Sequence, residues 1–283
     1  MPIRLIAIDI DGTLLDSHGR MPAANRAAMC DALDAKIEIV LVTGRTFHHA
    51  QPIADALSEP LVLIVNNGAL VKRPTGETLD RRLLDREVAH EIITITRPLR
   101  QGAALIFDRS DAGQYLFERI DWHDPNRRRY YERNRQYMTE VDALEDALTE
   151  HPAQLAFNGT VADMRRLDQQ LRELPIAQQV TLTLTEYETR DFTLLDVTAR
   201  GCSKGAALAA WAATQGVDRT DVMAVGDNLN DREMLEFAAW PVVMGNAVPA
   251  LKTLGWPMTG SHDEDGLAEA IRSLALTTTN RAP

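Results

Sequence analysis

Three short, dominantly apolar runs, at residues 3–8, 38–42 and 60–65, are separated by two stretches of helix length. Runs of this kind, with no polar alternation, suit strands buried on both faces, the condition of a parallel sheet. The first intervening helix is expected over 22–35, with Pro22 in its first turn. The second is expected over 46–57, carrying Pro52 as a kink. Strand, helix, strand, helix, strand in this order implies right-handed crossovers. The same patterning resumes late in the chain. An alanine-rich helix is expected over 204–214, strands at 222–225 and 241–244, and helices at 231–239 and 266–276, followed by a frayed tail at 277–283. The fold class is therefore α/β, with a Rossmann-like parallel-sheet core built from residues 1–78 and 200–283.

Between these halves, residues 79–199 have a weaker, more alternating apolar signal. Strands are expected at 103–107, 114–118, 154–157, 180–187 and 192–197, with helices at 85–96, 141–148 and 161–174. This mixture suits an inserted α+β cap domain with an antiparallel sheet. Linkers are expected near 72–79 and 188–200, and an insertion held by two linkers can hinge.

Of 283 residues, 41 are acidic and 30 basic, a formal charge of −11. That balance argues against a nucleic-acid partner and against an anionic membrane surface. The two cysteines, Cys30 and Cys202, lack metal-ligand spacing. A reducing compartment suits them, and with no leader-like segment or membrane-length apolar run the expected location is cytoplasmic.

The polar residues fall where the strands end. The first strand closes in Asp9-Ile10-Asp11-Gly12-Thr13, the second in Thr43-Gly44-Arg45, the third in Asn66-Asn67-Gly68. The two late strands close in Gly226-Asp227 and Gly245-Asn246. Alternate residues of an extended chain share a face, so Asp9 and Asp11 can point into one space. Two such carboxylates repel, and a bound cation, a shared proton or a departure from strand geometry would each relieve them. Glycine and asparagine also favour ordinary turns. Yet open α/β sheets bind ligands outside the carboxyl ends of their strands. Four aspartates at that edge (Asp9, Asp11, Asp227 and Asp231) form an all-oxygen donor set suited to Mg²⁺ beside a phosphate. Lys204 stands in the first turn of its helix, where the helix dipole disfavours a cation. A solvated surface lysine and a lysine facing an anion both fit that position, and the neighbouring motifs favour a phosphate.

Asp9-Ile10-Asp11-Gly12-Thr13-Leu14, Thr43-Gly44-Arg45, Ser203-Lys204-Gly205 and Gly226-Asp227-Asn228-Leu229-Asn230-Asp231 resemble, in order, the four motifs of haloacid dehalogenase-like hydrolases. The insertion between the second and third motifs resembles the large α/β cap of the Cof-type sugar-phosphatase branch, as do Met244-Gly245-Asn246-Ala247 and Asp263-Glu264-Asp265-Gly266. His262 stands where that branch often has asparagine. The resemblance implies a Mg²⁺-dependent hydrolase of a small phosphorylated metabolite. Asp9 would be the nucleophile and Asp11 the general acid and base. Mg²⁺ would be held by Asp9, the main-chain carbonyl of Asp11 and Asp227, with Asp231 supporting the metal site. Thr43, Gly44, Lys204 and Asn230 would bind phosphate.

Two other functions use the same scaffold. A phosphomutase would share the aspartyl-phosphate and need a second phosphate anchor, for which Arg127, Arg128 and Arg129 are the candidates. A non-catalytic phosphosugar-binding regulator would lack a catalytic carboxylate, whereas Asp9 and Asp11 are both present. The arginine run otherwise reads as a solvated face beside Tyr130 and Tyr131. His48 and His49 diverge as neighbours on a helix and read as a surface pair. Asn67 reads as a turn residue at the cap hinge, with contact to substrate as the lesser alternative, and Trp122 and Tyr137 as cap core or a substrate platform.

Overall fold

The computed structural model describes residues 2–57, 61–99, 102–110, 112–118, 123, 128–187 and 191–277, without the side chains of 129 and 130. Strand β1 (Leu5–Asp9) is buried along its whole length, as its unbroken apolar run requires. Helix α1 (Ala23–Asp34) follows, with Pro22 at its N-cap instead of inside its first turn. Strand β2 (Glu38–Val42), helix α2 (Phe47–Asp55, with Pro52 inside it) and strand β3 (Val62–Val65) complete the first alternation. Pro60, expected to open β3, lies outside the described residues.

Two short strands, β4 (Leu70–Lys72) and β5 (Thr78–Arg81), overlap the two ends of the stretch expected near 72–79 to be a linker. The β4 strand pairs antiparallel to β3. Strands of three or four residues give too few positions for a period to show. Their hydrogen bonds to an existing sheet edge stabilise them instead.

The chain divides into two compact units, residues 1–80 with 203–283, and residues 81–202. In the second unit α3 (Arg86–Thr96) starts at Asp85, whose carboxylate accepts from the N–H groups of Glu87 and Val88. There follow β6 (Ala103–Ile106), β7 (Tyr115–Glu118), α4 (Arg128–Asn134), β8 (Met138–Val141) and α5 (Leu144–Ala147). The unit ends with β9 (Gln154–Gly159), α6 (Val161–Arg172), β10 (Val180–Tyr187) and β11 (Phe192–Ala199). Its sheet runs β10-β11-β9-β6-β7-β8, antiparallel except for the parallel β7–β8 pair.

Residues 141–148 were expected to be helical throughout, but only 144–147 are. Val141 belongs to β8, because pairing with β7 at the sheet edge outweighs the local helical spacing.

One sheet face buries Leu105, Leu155, Phe157, Leu195 and Val197 against Ile92, Ile93, Met164, Leu167 and Leu171. On the other face Tyr131 meets Phe117 edge-on at 5.7 Å, with the half-buried Tyr137 packed against the same cluster. Arg128 is exposed and paired with Glu132 at 2.7 Å. Trp122, Arg127, the side chains of Arg129 and Tyr130, and the tail at 278–283 lie outside the described residues.

The first unit resumes with α7 (Lys204–Thr214), β12 (Val222–Gly226), α8 (Arg232–Phe237), β13 (Trp240–Val243), α9 (Pro249–Lys252) and α10 (Gly266–Ala270). Its sheet order is β13-β12-β1-β2-β3-β4-β5. Pairs β13–β12, β12–β1, β1–β2 and β2–β3 are all parallel. The carboxyl ends of these five strands therefore share one edge. Chain order reverses between β1 and β12, the position where such sheets bind ligands. Among the described residues no helix is long and apolar enough to cross a membrane.

Phe157 has 0% exposure in the core of the inserted unit. Replacing it by alanine should destabilise that unit by about 3–5 kcal/mol, read as a lowered urea midpoint in the circular dichroism signal.

Candidate active site

Asp9 is the last residue of β1 and is buried at the sheet edge. Lys204, the first residue of α7, reaches it from the neighbouring helix terminus. Its ammonium donates to Asp9 Oδ1 and to Asp231 Oδ1, both at 2.6 Å. The three side chains are 1%, 5% and 0% exposed, so this is an ion triad sealed from water. A cation at the positive end of a helix is unfavourable by itself. Here the two carboxylates outweigh that cost, and the surface-lysine reading is excluded.

Asp231 Oδ2 accepts from the N–H groups of Asp227 and Asn228, each at 3.0 Å. It thereby sets the backbone of the loop that carries Asp227. The Asp227 carboxylate is held from both sides, by Thr13 Oγ1 at 3.4 Å and by Asn246 Nδ2 at 3.4 Å. Asn246 Nδ2 also donates to the Gly12 carbonyl at 2.8 Å. Gly12 has φ +83°, and a Cβ there would sit 2.3 Å from Asp227 Oδ2. Only glycine lets the first loop approach this carboxylate so closely. The third contact of Asn246 is at its Oδ1, which accepts from the main-chain N–H of His262 at 2.9 Å. Because that corner is a backbone contact, histidine in place of asparagine leaves it intact.

Carboxylate oxygens of Asp9, Asp227 and Asp231 lie within 4.8 Å of one another. Asp11 does not bring its carboxylate into this group. The strand ends at Asp9, so the alternation that would align Asp11 with it has already stopped. Asp11 instead forms a two-pronged ion pair with Arg45, Nε to Oδ2 at 2.7 Å and Nη2 to Oδ1 at 2.6 Å. Arg45 Nη1 also donates to the His49 carbonyl at 3.2 Å.

Thr43 is buried at the end of β2, and its Oγ1 accepts from the N–H of Arg45 at 3.1 Å. Asn230 Nδ2 donates to Asn67 Oδ1 at 3.3 Å. The rings of His48 and His49 lie 4.1 Å apart and take no part in the acidic group. Arg45 and Asn246 were given no role from the sequence, Asn67 was read chiefly as a turn residue, and the Thr13 hydroxyl, which could have served an anion, instead meets Asp227. Asn246 and Asn67 stand at strand ends, the one signal that could have found them.

Burial raises the Asp9 carboxyl to about 7; Asp231 and Asp11 push it the same way and Lys204 opposes them. Burial, together with Asp9 and Asp231, raises Asp227 to about 9. Burial alone would lower the Lys204 ammonium, but the Asp231 and Asp9 charges reverse this and hold it charged. Asp9 and Asp227 hold their protons to higher pH because, all ionised, three carboxylates beside one ammonium would leave excess negative charge. A hard divalent cation bound by oxygen is the partner that balances it.

A family model described as haloacid dehalogenase-like hydrolase matches residues 6–271. The HMP-PP phosphatase of Serratia proteamaculans (strain 568) is 30% identical over 270 residues, 89% of this chain and 87% of that protein. The 5-amino-6-(5-phospho-D-ribitylamino)uracil phosphatase YcsE of Bacillus subtilis (strain 168) is 29% identical over 274 residues, 97% and 96% of the two chains. Among solved structures, a haloacid dehalogenase-like hydrolase from Bacteroides thetaiotaomicron superposes with a TM-score of 0.79 at 24% identity. The match covers 96% of this chain and 99% of that one, a likeness of fold.

The raised carboxyls hold protons in the folded chain that the unfolded chain has already released. Without divalent metal, the contribution of these two carboxyls to stability should therefore be fully present below about pH 4 and be lost as pH rises through about 7 and then about 9. Thermal melts in EDTA across that range check the slope, and Asp227→Asn should flatten its upper part.

Proposed function

Because the chain belongs to the haloacid dehalogenase-like hydrolases and is a phosphatase, we propose that it is a Mg²⁺-dependent hydrolase of small phosphomonoesters working through an aspartyl-phosphate. The observation that carries the reading is the buried Lys204 ammonium between Asp9 and Asp231, beside Asp227 and at the carboxyl ends of β1 and β12. The donor set fits Mg²⁺: carboxylate oxygens only, and a first loop stripped to glycine where it meets Asp227. Asp9, the Asp11 carbonyl and Asp227 would hold the ion, with Asp231 behind them fixing the loop of Asp227. When bound, Mg²⁺ supplies charge that orients the phosphate and screens it from the attacking carboxylate.

The chain's own groups then divide the work. Lys204 binds Asp9 Oδ1, which leaves Oδ2 to attack phosphorus. The new Asp9–phosphorus bond forms as the bond to the leaving oxygen breaks, and Asp11 gives that oxygen its proton. Asp11 then takes a proton from water, whose oxygen displaces Asp9 and releases inorganic phosphate. Both Asp11 oxygens face Arg45, so Asp11 must free at least one of them to reach the leaving group. Thr43, Gly44, Lys204 and Asn230 are assigned the phosphoryl oxygens, where developing charge is stabilised.

The substrate class follows the relatives, whose names carry HMP-PP and 5-amino-6-(5-phospho-D-ribitylamino)uracil, both small phosphorylated metabolites. The inserted domain, residues 79–199 on the sequence reading, is assigned the choice among such substrates.

Asp9→Asn should lower turnover of p-nitrophenyl phosphate by at least about a thousandfold, and EDTA should abolish it until Mg²⁺ is restored. Full activity in either case overturns the mechanism. With a hexose monophosphate, released inorganic phosphate marks the hydrolase and an isomerised sugar phosphate marks a mutase.

A further inference from the structure

Three consecutive residues at the end of β3 have positive φ: Asn66 at 52°, Asn67 at 52° and Gly68 at 100°. Asn67 is also 2% exposed. If this loop needed only its left-handed turn, glycine would serve better at Asn67, since it carries no Cβ into that region. What asparagine adds is a carboxamide, and that carboxamide is aimed at the site. Its Oδ1 accepts from Asn230 Nδ2 at 3.3 Å. The same oxygen lies 3.0 Å from where a Cβ of Gly44 would stand, so it packs directly on the second-motif backbone. The main chain makes matching contacts. Asn67 N donates to the Thr43 carbonyl at 3.1 Å, and Asn66 N to the Arg45 carbonyl at 2.9 Å.

We propose that Asn67 is a positioning residue that holds Asn230 and the Thr43-Gly44 turn in the relative geometry that a phosphoryl group needs. The inference rests on the phosphate-binding roles given above to Thr43, Gly44 and Asn230. Its physical basis is the asymmetry of an amide. An Asn230 side chain turned by 180° would present oxygen, an acceptor, to an anion. With Asn67 Oδ1 as its acceptor, Asn230 presents nitrogen instead. One of its two N–H bonds then serves Asn67 and the other points its positive end toward the cradle. The amide of Asn67 also explains why residue 44 is glycine, because any side chain there would displace the oxygen that orients Asn230.

The test is a mutant cycle read by orthophosphate binding at saturating Mg²⁺, from calorimetry and from competitive inhibition of p-nitrophenyl phosphate hydrolysis. Asn230→Ala should weaken orthophosphate about tenfold in the wild-type background. In an Asn67→Gly background, where Asn230 has lost its orienting oxygen, the same change should cost almost nothing. Asn67→Gly alone should weaken orthophosphate by a similar factor while its melting temperature and Mg²⁺ affinity stay near wild type. A purely structural loop residue would leave orthophosphate binding untouched. Asn67→Asp keeps an accepting oxygen and tolerates the left-handed conformation, so the cost of Asn230→Ala should return in that background. Equal costs of Asn230→Ala in the wild-type and Asn67→Gly backgrounds overturn the inference. If Asn67→Gly does not fold, loss of the Asn230→Ala effect in the Asn67→Asp background overturns it. An Asn230→Ala protein that binds orthophosphate as wild type does removes the role assigned to Asn230 itself, and the inference falls with it.

Discussion

The ammonium of Lys204, shut away from water between Asp9 and Asp231, ties together three segments that are distant in sequence. A buried charge is tolerated only when its partners are close and their remaining valences are filled. Here they are. One oxygen of Asp231 takes the lysine and the other takes two backbone N–H groups of the loop that presents Asp227. The end of β1, the start of α7 and the loop after β12 are thus fixed by one cation, and the positions of the remaining polar groups follow from theirs. Removing either carboxylate would leave the ammonium short of a partner, a change that typically costs several kcal/mol.

Much of the fold was legible because buried parallel strands and their covering helices differ in period. The α7 helix lies where its alanine-rich spacing places it, and each of the five parallel core strands lies within a residue or two of its apolar run. What escaped was structure supported by neighbours instead of by local pattern. Strands β4, β5 and β8 are short and persist because a sheet edge offers them hydrogen bonds. The acidic residues of the site were visible for a similar reason: a carboxylate at the end of an apolar strand has no structural explanation of its own. The direction in which Asp11 turns was not visible. It depends on Arg45, which reaches it only because β1 and β2 are adjacent in the folded sheet. Asn67 was legible as a turn residue, since left-handed asparagine is common in turns, but nothing in its surroundings along the chain names Asn230 as its partner.

Every member of the acidic group and every side chain that holds it comes from the first compact unit. Residues 81–202 contribute none of them among the described residues. The acidic group and the inserted unit are therefore separable at the level of individual side chains. Two relatives near 30% identity bear the names of different substrates, and a reaction centre confined to one unit is compatible with such divergence.

Strand β1, the middle one of the five parallel strands, has its nearest neighbours at very different distances along the chain. On one side Leu5 faces Glu38, and on the other it faces Val222. Loop-closure entropy grows only slowly with length, so the long connection adds little to the equilibrium cost. The order of events on the ribosome is another matter. Synthesis proceeds at roughly 5–20 residues per second, and β12 cannot pair with β1 until the entire insertion has been made. For that interval the nascent amino-terminal half presents an unpaired, wholly apolar strand edge, the kind of surface that chaperones bind and that misassembles when they do not.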